Sequence, residues 1–232
     1  MKVSIIVPNY LRDITPIIQA VKGMQGVELI ELDLMKERSA QRNRGIKEAR
    51  GEYIFILDSD QIPTKALVLE CTYIMEAFPA CQGIYIPEII VGDDWFTRLR
   101  RFERQFYTST PIDVVRFVRA DNCPEFDETL TGPEDADFDL RIKGEKRTSQ
   151  NPLFHHDNIS FKDYLKKKSY YTRSMGKFLN KHPRAKVLNF WYRVFGVFME
   201  NGKWRQLAKH PILAIKLYLL IFLRGIIYLR NK

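Results

Sequence analysis

The sequence predicts an α/β fold, with a mostly parallel central sheet flanked by helices and a basic helical extension behind it. Three observations lead there. Over the first ninety residues, short apolar runs rich in Val and Ile alternate with helical patterns, which is how parallel strands joined by crossover helices read. One run, Glu52 to Leu57, ends in Asp58-Ser59-Asp60, two carboxylates where loops of such a sheet meet a ligand. Charge also reverses along the chain. Residues 1–139 hold 16 Lys+Arg against 24 Asp+Glu, and residues 140–232 hold 21 against 4.

Val3 to Val7 reads as a buried strand ended by Pro8-Asn9-Tyr10, and Thr15 to Val21 as a helix with Gly23 near its end. Val27 to Leu32 is a second strand. Ser39 is the expected N-cap of a helix running to Ala49-Arg50, with Gly51 as its stop. The strand leading to Asp58 follows, then a helix over Thr64 to Phe78 between Pro63 and Pro79. Gly83 to Ile90 is read as one strand. Asp93 to Tyr107 is an amphipathic helix, with Trp95, Phe96, Leu99, Phe102, Phe106 and Tyr107 as its apolar face. Asp113 to Ala120 is a strand, and an acidic loop from Pro124 passes into a helix by Arg141. From Ser160 the pattern is helical, basic and aromatic, so the expected division is a domain over 1–159 and an extension over 160–232.

With 232 residues, 45% hydrophobic, the chain can build a large core. Cys71, Cys81 and Cys123 lack metal or redox spacing and point to a reducing compartment. Met1 leads straight into strand-like sequence, so no signal peptide is expected.

Four segments in order resemble the family-two glycosyltransferases. They are Val3 to Tyr10, Arg42-Asn43-Arg44-Gly45 closing with Ala49 to Ile54, the Asp58-Ser59-Asp60 triplet, and Phe126-Asp127-Glu128 followed by Gly132-Pro133-Glu134-Asp135 and Asp139-Leu140-Arg141. The likeness covers roughly residues 1–157. It implies the GT-A nucleotide-sugar-binding fold and inverting transfer from a nucleoside-diphosphate sugar to an acceptor hydroxyl. The chain departs from the family at its second strand, which often ends in two aspartates and Gly-Ser. Here Glu31-Leu32-Asp33-Leu34-Met35 stands instead, leaving Asp33 as the candidate for nucleotide recognition.

Carboxylates at i and i+2 hold a hard cation together with phosphate oxygens. Asp60, with Asp58 assisting, is therefore the expected site for Mn²⁺ or Mg²⁺, which would offset charge on the leaving diphosphate. Asp58 alternatively meets the ribose. The plainer reading is an acidic strand-to-helix turn. Asp135 is the expected base, by its match to the family's Glu-Asp pair, and a carboxyl pKa raised by neighbouring Glu134 would help it. Those acids also suit the first turn of a helix, the reading preferred for Asp137 and Asp139. Arg42 either contacts the diphosphate, supports the metal loop, or belongs with Arg38 and Arg44 on a solvated face. Pro8, Asn9, Tyr10, Ser59 and Glu134 complete the expected nucleotide-sugar contacts. Family members often carry a His near the diphosphate, so His155 and His156 are candidate metal ligands.

Lys166 to Arg173 interleaves bases with Tyr170 and Tyr171, a pattern suited to nucleic acid, diphosphate or anionic lipid. Pro211 to Leu229 is intensely apolar yet interrupted by Lys216 and Arg224. Its longest uncharged stretch, Leu217 to Leu223, falls short of a bilayer core of about 30 Å. A helix lying in the interface with its bases snorkelling fits, and Trp191, Tyr192, Trp204 and Tyr218 suit an interfacial belt. The expected location is peripheral, on the cytoplasmic face of the membrane, with a lipid-linked acceptor such as a polyprenyl-phosphate glycan and no nucleic acid partner. Packing on the core or against a second copy is the alternative. Two other functions are weighed. A sugar-nucleotide-forming nucleotidyltransferase needs a Gly-rich loop after the first strand, and Pro8 to Asp13 has no glycine. A binding module using only the tail for nucleic acid or membrane leaves the ordered acidic motifs unexplained.

Overall fold

The computed structural model describes residues 1–33 and 37–230. The chain runs β1 (Val3–Pro8), α1 (Thr15–Val21), β2 (Val27–Leu32), α2 (Arg38–Glu48), β3 (Tyr53–Ile56), β4 (Gln61–Ile62), α3 (Lys65–Ala77), β5 (Cys81–Tyr85), β6 (Glu88–Ile90), α4 (Trp95–Arg104), β7 (Val115–Arg119), α5 (Glu134–Arg141), β8 (Glu145–Thr148) and β9 (Leu153–His155). It continues through α6 (Phe161–Tyr171), α7 (Met175–Lys181), α8 (Val197–Met199), α9 (Trp204–Lys209) and α10 (Pro211–Arg230).

Six strands form the main sheet in the order β2-β1-β3-β7-β5-β8. Only β7 runs against the others, antiparallel to both β3 and β5, so the expected mostly parallel sheet is borne out. β1 is buried along its whole length because it carries parallel neighbours on both edges, Ile5 facing Leu29 on one side and Phe55 on the other. The chain steps from β1 to β2 on one side, then back across β1 to β3. That reversal opens a crevice outside the carboxyl ends of β1 and β3, the place where open α/β sheets bind ligands.

A small second sheet, β4-β9-β6, closes one side of the crevice. It exists because the run expected as one strand over Gly83–Ile90 breaks between Tyr85 and Glu88. Pro87 has no N–H to give a ladder, and its carbonyl accepts from the Leu153 N–H at 2.8 Å. β5 therefore stays in the main sheet while β6 pairs with β9. Other boundaries shift for local reasons. α2 begins at Arg38, with no side-chain cap, and Ser39 is buried in its first turn rather than capping it. Gly51 does not supply a left-handed stop. A side chain there would sit 2.6 Å from the Ser4 backbone nitrogen, so glycine is needed for a close approach. α4 is capped by Asp94, whose carboxylate accepts from the Phe96 and Thr97 N–H groups at 2.9 and 3.0 Å, and ends at Arg104, earlier than expected.

The extension does not hang free. Tyr164, Tyr192, Val197, Phe198, Leu207, Leu217 and Leu220 share one buried cluster with Phe96, Leu99, Phe102 and Phe106 on and after α4. α10 as a whole is long and apolar enough to cross a membrane by length and composition. Two of its features tie it to the protein instead. Leu217 and Leu220 lie in that cluster, and Arg224 forms a short ion pair with buried Glu103. Arg224 is thus turned toward the protein, which corrects the expectation that it snorkels. Ile212, Ile215, Leu219, Phe222 and Leu229 remain exposed on the outer side.

Gly45 lets α2 lie against the sheet. A Cβ there would come within 2.4 Å of Ile6 Cγ2 and 2.9 Å of Leu32 Cδ1. Gly45→Val is expected to cost about 1–3 kcal/mol, since the added side chain would overpack against buried Ile6 and Leu32. Urea denaturation of the purified variant measures this.

Candidate active site

The crevice has a volume of about 540 Å³ and is lined by the loop after β1 (Pro8, Asn9, Tyr10, Arg12), by Glu37, Arg38 and Gln41 of the α2 region, by Asp58, Ser59 and Asp60, and by His155 and Lys167. Asn9 shapes its own loop. Its side-chain amide donates to the Arg12 carbonyl at 2.9 Å and to Glu31 at 2.8 Å, while its backbone N–H donates to Gln41 at 3.1 Å. Tyr10 is exposed at the rim. Asp33 is exposed beyond β2 and is not among the residues lining the crevice; Leu34 and Met35 lie outside the described residues.

Arg42 stands at the centre of the electrostatics. It is wholly buried, not on a solvated face. One guanidinium nitrogen binds Asp58 Oδ1 at 2.7 Å and the other binds Asp135 Oδ1 at 2.5 Å, with the Phe126 ring 4.9 Å from the guanidinium carbon. Each side chain comes from a different element: α2, the loop after β3, and the first turn of α5. A planar fork can bridge two carboxylates that would otherwise repel. Asn43, one residue on, donates to the Phe126 carbonyl at 3.0 Å and accepts from its N–H at 2.6 Å, so the same helix also ties down the loop carrying Phe126.

Burial opposes the charge on Asp58, yet Arg42, Arg38 and Arg116 hold its carboxyl far below the usual carboxylate range. Asp135 shows the same balance, burial against the charges of Arg42 and Arg38, and is also held low. The expected upward push from Glu134 is therefore corrected. Glu134 is itself buried, bound by Arg38 and by the Gly132 N–H, and is not among the residues lining the crevice. Asp137 and Asp139 are structural. Asp137 is buried against Arg141, Lys181 and His182, and Asp139 accepts from the Val115 N–H at 3.0 Å and from Lys146 at 2.9 Å.

The second sheet builds a ligand set beside this network. In the β4–β9 ladder Gln61 faces His155, and the His156 N–H donates to the Asp60 carbonyl at 2.7 Å. His155 is thereby set against Asp60. Asp60, His155 and Asp157 offer ligand atoms that all lie within 4.8 Å of one another. Asp60 Oδ1 and His155 Nδ1 are buried without a hydrogen-bond partner, and Asp60 Oδ1 is 3.2 Å from His155 Nε2. Two carboxylates and an imidazole fit a borderline or hard divalent cation such as Mn²⁺ or Mg²⁺, with His155 Nε2 turned to the carboxylates, its Nδ1 facing Glu88 at 3.4 Å, and Asp157 also paired with Arg100. Two expected ligands stand outside this group. Asp58 is engaged by Arg42, and His156, next to His155 at the end of β9, falls on the opposite face and is exposed. Asp157, two residues past His155 on the same side, takes the third position. Its spacing in His155-His156-Asp157 was the available signal. Arg12, which binds Asp60 Oδ2 at 2.7 Å, and Arg38 carry no motif and become visible only once folded.

Fold and crevice together are those of a GT-A glycosyltransferase, as the residue motifs imply. The family model described as glycosyl transferase family 2 matches residues 4–126, more than half of the chain, and the protein belongs to that family. Among solved structures it resembles the crystal structure of S. aureus TarS at a TM-score of 0.51 and 16% identity, covering 100% of this chain and 54% of that one. S. aureus TarS 1-349 in complex with UDP-GlcNAc aligns at a TM-score of 0.48 and 15% identity, covering 100% and 89%. The chain thus spans about half the length of the first, and at such identity the likeness is one of fold. No curated protein matches it.

Two predictions follow from this electrostatic arrangement. Arg42→Ala leaves Asp58 and Asp135 without their shared cation and is expected to cost roughly 2–4 kcal/mol in denaturant unfolding, less than for a fully buried pair. Burial lowers the His155 pKa, but its contacts with Asp60 and Glu88 outweigh that and raise it from 6.5 to about 9 in the metal-free protein. A raised histidine pKa stabilises fully below the unfolded value and is lost as pH rises through the folded one. Metal-free protein should therefore lose on the order of 1–3 kcal/mol between pH 6.5 and 9. Equilibrium unfolding across that range checks this, and His155→Gln should remove that component.

Proposed function

We propose that this protein is a metal-dependent, inverting glycosyltransferase, moving a sugar from a nucleoside-diphosphate donor to an acceptor hydroxyl. The observation that carries the proposal is the convergence of Asp58, Asp60 and His155 on one crevice at the carboxyl ends of β1 and β3, with Asp135, on the adjoining cavity, joined to Asp58 through Arg42. The loop Pro8-Asn9-Tyr10 would receive the base, with exposed Tyr10 available to stack on it. Asp58 and Ser59 would contact the ribose or sugar. Asp60, His155 and Asp157 would hold Mn²⁺ or Mg²⁺, which supplies Lewis-acid stabilisation of the leaving diphosphate, a contribution of several kcal/mol.

Asp135 is the proposed base. Paired with Arg42, it is ionised across the working pH range and is a weak proton acceptor in the ground state. Proton transfer must therefore come late, as the new C–O bond forms and the acceptor hydroxyl acidifies. Arg42 holds Asp135 beside Asp58, and inversion would follow from Asp135 taking the proton of an acceptor that attacks on the face away from the leaving diphosphate. Attachment to a membrane surface is part of the same proposal. The outer side of α10 is apolar, with Lys216 exposed beside it, and exposed Phe190, Trp191 and Phe195 continue the patch. A helix lying at the cytoplasmic interface of an anionic membrane would cover these groups and bring a lipid-linked acceptor to the crevice.

Thermal stabilisation by a panel of nucleoside diphosphates and nucleotide sugars, with and without Mn²⁺ or Mg²⁺, tests the donor site. A metal-dependent shift with one base is expected, abolished in Asp60→Ala. No shift with any ligand in folded protein would refute the reading. Once a donor is identified, Asp135→Asn should lower kcat by about 10²–10⁴-fold with donor binding retained. For the membrane, Leu219→Glu should abolish co-sedimentation with anionic vesicles.

A further inference from the structure

Resting on the glycosyltransferase reading, we infer that the acceptor carries a phosphate group beside the hydroxyl it offers, and that Lys167 and Lys168 of α6 hold that phosphate. A second cavity of about 210 Å³ opens off the donor crevice, with Arg38, His155 and Lys167 on the walls of both. Asp135 lines this second cavity and does not line the first, so it faces the side from which an acceptor would approach.

The charges in this cavity do not balance. Arg38 is matched by Glu134 and Arg100 by Asp157. Lys167 and Lys168 have no carboxylate within ion-pair distance among the described residues. Lys168 lies instead between aromatic rings, 5.2 Å from the centroid of Tyr164 and 5.7 Å from that of Tyr171. Burial and the nearby charges of Arg224 and Arg100, only partly offset by Glu103, push its amine down to about 7. Two lysines without a carboxylate partner, one of them an amine that a bound anion would keep protonated, match a phosphate monoester or diphosphate better than a single carboxylate. The position of α6 is built in. Gly132, at φ +136°, lies so close to Tyr171 that a Cβ would meet the tyrosine Cβ at 2.5 Å, and only glycine adopts such a backbone without strain. A phosphate beside Asp135 would also offset the cations that hold its carboxyl low, making it a better base once the acceptor has bound.

The test is titration calorimetry of inorganic phosphate into protein with and without saturating Mg²⁺ and the nucleoside diphosphate found in the thermal panel. Wild type is compared with Lys167→Ala, Lys168→Ala and the conservative Lys168→Arg. Exposed Lys167 can be removed without disturbing the fold. Phosphate should bind the nucleotide-loaded protein, weaken at least tenfold in both alanine variants and persist in Lys168→Arg, with nucleoside-diphosphate affinity unchanged in both Lys168 variants, since Lys168 does not line the donor crevice. Phosphate affinity indifferent to Lys167→Ala, or an equal loss of nucleoside-diphosphate affinity placing these lysines on the donor, would overturn the inference. Failure of every nucleotide to bind would indict the transferase reading separately, since the phosphate titration without nucleotide still reads the lysines. Vesicles of phosphatidylcholine with and without polyprenyl diphosphate identify the source. Lys167-dependent capture only by the former assigns the phosphate to a lipid, and equal capture assigns it to a soluble or polymeric acceptor.

Discussion

The buried guanidinium of Arg42 is the interaction on which the site depends. It joins a carboxylate from the loop after β3 to one from the first turn of α5, elements far apart in sequence that would repel without it. Its cost is met locally. Gly45 lets the helix seat on β1, Phe126 covers the guanidinium, and Asn43 anchors the backbone of Phe126. The Arg42-Asn43-Arg44-Gly45 segment is therefore a structural part of the chemistry, with each residue but the exposed Arg44 holding a neighbour in place.

A second constraint comes from the small sheet. Pro87 ends β5 and sends the chain into β6, which gives β9 a partner on one side while β4 supplies the other. β9 then carries His155 to Asp60. The His155 side of the crevice thus depends on a proline that breaks an otherwise continuous apolar run, and the adjoining cavity depends on α6, which is seated by the cluster around Phe96 and Tyr164. The extension is in this sense part of the site: Lys167, Lys168, Tyr164 and Tyr171 all come from it.

α10 serves two environments. Leu217, Leu220 and Arg224 face the protein, while Ile215, Leu219 and Phe222 face outward. A helix that is apolar on every side calls for cover on both. One cover is the protein itself, and the proposed membrane interface is the other.

The alternation of strands and helices, the order of the four motifs and the sign change in charge were all legible in the sequence, because periodicity and local motif spacing are properties of neighbouring residues. Asp60 stands out by its place at the end of an apolar run, while Asp135 and the pair His155 and His156 stand out through the family resemblance. What only the tertiary structure decided is which charges meet. Arg42 could not be told from Arg44 by spacing, yet one is buried between two aspartates and the other is exposed on the same helix. Asp58 is a partner of Arg42, and Asp157 is the carboxylate that joins Asp60 at the imidazole, because ladder register and strand alternation set which carboxylate turns toward it. The pKa of Asp135 went the opposite way from that implied by its neighbour in sequence, because the charge nearest in space belongs to α2. Pair distances between elements set these energies, and a linear pattern does not contain them.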